Sequence, residues 1–125
     1  MKLIQSSEKI YWTRHARGKM RYYRLSENRV KRVLRKPDRK ELGIALNTIA
    51  VMQRTGTKKH PSEIWLMYQK ASFKYQIPKS NKKARIIRII SAWRYPGKSP
   101  KGQPPPIPED TLWELKKLNE GQNSN

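Results

Sequence analysis

The sequence predicts an α+β domain in which two N-terminal helices pack on a small antiparallel sheet, followed by a proline-rich arm and a short C-terminal helix. Three observations predict it. Residues 13–36 place apolar side chains at helical spacing between good capping residues. Residues 84–95, ARIIRIISAWRY, form the most apolar run of a very polar chain and are rich in β-branched and aromatic side chains. Ahead of that run, two further strand-like segments are joined by turn-forming residues, as in a meander.

Residues 2–4 and 9–12 are short apolar patches, either of which suits a first, short strand. Residues 13–24, TRHARGKMRYYR, read as a helix with Thr13 as N-cap. Ala16, Met20 and Tyr23 form its buried stripe. Arg14, Arg17, Arg21 and Arg24 fall in one row on the opposite side, with no acid interleaved, so the row repels itself. His15 and Lys19 lie on a shoulder between the two faces. Residues 25–36 form the second helix. Ser26 caps it, Glu27 suits its positive end, and Leu25 with Val30 makes a hydrophobic staple. Arg29 and Arg32 belong to its polar face with Lys31, Arg35 and Lys36, and Pro37 stops it.

Residues 38–46 read as a connector, and residues 47–55 and 63–70 as strands around a loop containing Gly56 and Pro61. Residues 71–83 read as a Lys-rich connection into the strand at 84–95. Regular alternation along that strand puts Arg88 and Arg94 on one face, and Ser91, Trp93 and Tyr95 on the other. Arg88 sits between isoleucines, where a charge is costly unless it is paired, snorkels to the edge, or meets an anion. Three units follow: a domain over 1–95, an extended proline-rich arm over 96–108, and a C-terminal helix with a frayed tail over 109–125.

The 125 residues carry 29 Lys and Arg against 9 Asp and Glu, a formal charge of +20. That imbalance speaks for a polyanionic partner, nucleic acid first. The four Trp and six Tyr supply enough apolar bulk to exclude a disordered basic tail. The absence of cysteine excludes disulfides, thiol nucleophiles and thiolate metal sites. No glycine-rich phosphate loop or clustered acidic set appears, and two histidines are too few for a histidine-built metal site, so no cofactor or metal is expected. No signal peptide or apolar membrane span is visible, which makes the cytoplasm the expected location and a membrane partner unexpected.

Two segments carry a family resemblance. One is His15, Ala16, Arg17, Gly18, Lys19 and Met20, followed by Leu25, Ser26, Val30, Val33 and Leu34. The other is Arg88, Ile89, Ile90, Ser91 and Ala92 with Arg94 nearby. In this order they resemble small bacterial and phage domains related to the BrnT toxins of the RelE-like superfamily, over about residues 11–95. The chain departs from that pattern in its Lys-rich insert, proline arm and C-terminal helix. The resemblance implies two helices on a small antiparallel sheet, metal-independent RNA cleavage in a toxin–antitoxin setting, and an acidic antitoxin protein as partner.

Metal-free cleavage of RNA needs a base for the 2′-hydroxyl, an acid for the leaving oxygen, and cations on the phosphate. His15 titrates in the right range. Lys19, Arg88, Ser91 and Arg94 complete the candidate catalytic set, and Arg14, Arg17, Arg21, Arg24, Arg29 and Arg32 the candidate nucleic-acid contacts. RNA is expected ahead of DNA. Two readings remain open, an endoribonuclease and a non-catalytic nucleic-acid-binding module. They differ in whether His15, Lys19, Arg88 and Arg94 converge on one site.

Overall fold

The computed structural model describes residues 7–42, 45, 47–74 and 83–123. The apolar patch at residues 2–4 lies outside them. The elements run β1 (Ser7–Trp12), α1 (Arg14–Tyr23), α2 (Glu27–Arg35), β2 (Arg39–Leu42), β3 (Thr48–Gly56), β4 (Pro61–Lys74), β5 (Lys83–Pro96) and α3 (Glu109–Asn123). The five strands form one mixed sheet in the order β1-β5-β4-β3-β2.

This architecture overturns two N-terminal helices on a small antiparallel sheet, and the RelE-like fold with it. The strand expected at residues 9–12 forms as β1 but pairs parallel with β5, and the polar segment expected as a connector supplies β2, antiparallel to β3. The physical reason is the demand of strand edges for partners. Without β1, the outer edge of β5 would leave a row of donors and acceptors unpaired. Arg-Lys-Glu-Leu, with no β-branched residue, is a poor strand by propensity but a suitable short, charged edge. The Lys-rich connection also shrinks, because β4 extends to Lys74 and β5 starts at Lys83. The chain between them is outside the described residues. The tail read as frayed is helical through Asn123.

Both early helices begin where their caps demand. Thr13 Oγ1 accepts from Ala16 N at 3.1 Å, and Ser26 Oγ accepts from Arg29 N at 3.0 Å. Arg24, in the left-handed conformation, ends α1 and turns the chain directly into α2. The β3–β4 hairpin depends on Gly56 at φ +84°, where a side chain would strike the His60 carbonyl.

The sheet is covered on both sides. One face buries Val51, Ile64, Leu66, Ile87, Ile89 and Ala92 beneath Ala16 and Met20 of α1 and Val30 and Val33 of α2. The other buries Met52, Trp65, Met67, Ile90 and Trp93 beneath Leu115 of α3 and Ile107 of the arm. Trp65 and Trp93 lie parallel across β4 and β5, with centroids 6.0 Å apart. Glu63, only 2% exposed, fastens the arm to this layer. It accepts from Trp65 Nε1 at 2.9 Å and from Ser99 N at 3.0 Å. Arg39 lies over the Trp65 ring and donates to Ser99 Oγ and the Gln103 carbonyl.

Two features of β5 position everything that follows. β1 stops opposite Ile89, and there Thr13 takes over the edge of β5. Its N–H donates to the Ile89 carbonyl at 3.2 Å, and its hydroxyl donates to the same carbonyl at 2.8 Å. Helix α1 therefore starts on the rim of the sheet, within reach of α3 on the far side. The second feature is a β-bulge. Tyr68 faces Ile89 and Met67 faces Ser91, so Ile90 is an extra residue on β5. Beyond it the alternation of faces is reversed.

Candidate nucleic-acid interface

Arg14, Arg17, Arg21 and Arg24 are all exposed along the outer side of α1. A rise of about 1.5 Å per residue spreads them over roughly 15 Å, the length of about four base steps of a duplex strand. Their only ion pair among the described residues joins Arg17 to Glu27 at 3.5 Å, with both side chains about half exposed. Such a pair is weak and readily exchanged for a phosphate. At the end of the row, Arg94 Nε donates to the Tyr23 carbonyl at 2.9 Å. Arg29, half-buried on α2, donates to Gln53 Oε1. Burial lowers the pKa of Arg29 from its ordinary value, and the positive charges of Arg32 and Arg94 push it further down. No carboxylate of the described residues pairs with any of these three guanidiniums.

A cleft of about 600 Å³ opens beside the start of this row, between α1 and the first turn of α3. Lys19 Nζ is clamped by both oxygens of Asp110, at 3.1 and 2.9 Å, and sits 5.0 Å from the centre of the Tyr23 ring. Thr111, fully buried, shares a 2.8 Å hydrogen bond with Ser91 Oγ and lies 3.5 Å from His15 Nε2. The rim position of α1 brings His15 and Ser91 to the same threonine from opposite sides of the sheet edge.

Burial lowers the pKa of His15 below the ordinary 6.5, opposed by the charges of Glu114 and Asp110 and assisted by those of Lys19 and Lys117. For Asp110 burial acts upward, but the hydrogen bond and charge of Lys19, with His15 beyond, outweigh it and hold the carboxyl below its usual range. An NMR titration of His15 is expected to show a midpoint below 6.5. Stability should then rise with pH between that midpoint and 6.5, because the unfolded chain binds the proton more strongly in that window. A midpoint at or above 6.5 would contradict the packing of the ring against α3.

The residues expected to converge on one catalytic site only partly do so. His15, Lys19 and Ser91 meet around Asp110 and Thr111. Arg88 does not join them. It is exposed on the α3-bearing face of the sheet, with its guanidinium 5.5 Å from the centre of the Tyr11 ring. Arg94 lies on the face that α1 and α2 cover, paired across the strands with Ile64. The expectation that Arg88 and Arg94 share a face fails because the Ile90 bulge lies between them. Ser91 is fully buried, and Lys19 is neutralised by an acid from a helix whose register against α1 no local pattern encodes. The sequence also gave no sign of Asp110 and Thr111 as members of this constellation. His60 lies in the exposed hairpin loop and does not line the cleft. Among the described residues no group of three His, Cys, Asp or Glu side chains is placed to hold a metal, and no helix is long and apolar enough to cross a membrane.

Comparison of the chain with family models, curated proteins and solved structures finds no match.

Proposed function

We propose that this protein binds nucleic acid through the phosphate backbone, as a non-catalytic module. The observation that carries the proposal is the continuous guanidinium surface from Arg14 along α1 to Arg24, continued by Arg94, Arg29 and Arg32, with one weak carboxylate contact along it. Arginines crowded at this density repel one another, and the repulsion is relieved when phosphates enter between them. The ribonuclease reading has less support. It needs fixed cations around a titrating base, whereas Lys19 is held by Asp110 and Arg88 is stacked over Tyr11.

The test is the salt dependence of binding to unrelated RNA and DNA sequences. Each phosphate contact contributes about 0.7 to the log–log slope for a single strand and about 0.9 for a duplex. Replacing Arg17 and Arg21 together by alanine is expected to flatten the slope by about 1.4 to 1.8 and to weaken all sequences alike. A double variant with the full slope would reduce the row to a solvated helix face. RNA cleavage without added metal, lost in His15→Ala, would restore the catalytic reading.

A further inference from the structure

The cleft beside the arginine row is not itself a phosphate site. Glu109 and Asp110 rim it with carboxylates, and the nearest amine, Lys19, is already held by Asp110. Like charge would repel a phosphate there. Its other wall is aromatic. Tyr22 is 77% exposed, an unusual position for so large a ring. It touches Tyr23 edge-on, with centroids 4.8 Å apart and planes at 86°, which steadies the ring at the cleft mouth. Arg14, the first member of the arginine row, lines the same cleft. A volume of about 600 Å³ is within the range that encloses a small organic ligand.

We infer that this cleft receives an unstacked nucleobase bearing an exocyclic amine, with Tyr22 as its stacking partner and the Glu109 carboxylate as acceptor of the amine protons. The inference rests on the phosphate-binding reading and adds base recognition to it. A flat heterocycle suits the Tyr22 ring, since every base offers a π-face. The carboxylates then choose among bases. An ionised carboxylate only accepts hydrogen bonds. It suits the amine of cytosine and is repelled by the carbonyl oxygen that uracil carries at the same position. The phosphate 5′ or 3′ of the inserted base falls to Arg14 and so to the start of the row. Charge is thus divided, with cations outside the cleft for the backbone and anions inside for the base edge. Such recognition requires a base free of its partner, which favours single-stranded segments.

The experiment is a fluorescence-anisotropy comparison of equal-length oligo(C) and oligo(U) RNA on the full chain across a salt series. Oligo(C) is expected to bind about five- to tenfold more tightly at every salt concentration. Tyr22→Ala should weaken oligo(C) binding about fivefold or more with the salt slope unchanged, while Tyr22→Phe retains the ring and the affinity. Glu109→Gln should collapse the preference for oligo(C). Both positions are exposed, so neither substitution threatens the fold. Equal affinities for the two oligomers, with a steep salt slope, would overturn base recognition and leave phosphate binding intact. The absence of salt-dependent binding to either would overturn the parent reading and the cleft assignment together.

Discussion

Glu63→Ala is expected to destabilise the protein by about 3 kcal/mol, since each buried donor left unpaired costs about 1–3 kcal/mol. Two donors are at stake, Trp65 Nε1 and Ser99 N, and both bond to a carboxylate that water scarcely reaches. For a chain of this length that loss corresponds to a fall in Tm of roughly 10 °C. The damage should be uneven. Ser99 anchors the arm, and Ile107 of that arm packs on the tryptophan layer. Hydrogen exchange at the Ser99 amide should therefore accelerate more than exchange in β3 or α2. Glu63→Gln keeps one acceptor oxygen but turns an amide N–H₂ toward a donor, and should lie between alanine and wild type. An alanine variant with wild-type Tm would mean that the arm stays down without Glu63.

Replacing Arg29, Arg32 and Arg94 together by alanine is expected to weaken nucleic-acid binding about 100-fold near 0.15 M salt. The size follows from counterion release: at that salt concentration a contact with a slope of about 0.8 is worth a factor of about five, and three contacts multiply. Arg29 also bonds Gln53, so thermal unfolding must accompany the measurement. A triple lysine variant separates the two effects, because it keeps the charge while losing the fixed guanidinium geometry. Lysine should retain most of the slope. Wild-type affinity in the alanine variant would confine binding to the α1 row.

What the sequence disclosed was local. Thr13 and Ser26 marked the starts of α1 and α2, because a cap is a short-range interaction between a side chain and the amide three residues on. The strand character of the isoleucine run was equally plain, since β-branched and aromatic residues carry it. The misses were matters of partnership. The pairing of β1 with β5 joins segments from opposite ends of the fold, and nothing within either names the other. β2 is a strand by virtue of the edge that it covers. The extra Ile90 is invisible in composition, yet it sends Arg88 and Arg94 to opposite faces, so the two cannot share one side of the sheet. Asp110 and Thr111 entered the site because α1 starts on the rim of the sheet, and that placement follows from where β1 ends.

The parallel strand β1 has a consequence for the order in which the molecule assembles. A nascent chain presents β1 first, but its partner belongs to β5, and the bonds that join Thr13 to Ile89 close a loop of 76 residues. Antiparallel β3 and β4 meet through a tight hairpin, and only Arg24, Leu25 and Ser26 separate α1 from α2, so these pieces can form from neighbouring chain. The N-terminal strand cannot. Its hydrogen bonds are earned only after the intervening chain is ordered, and the entropy of that closure falls on the last step. Until then the unpaired edge of β5 is open to any extended segment nearby. The rim of the sheet, where α1 and α3 meet, is therefore completed only when the two ends of the fold come together.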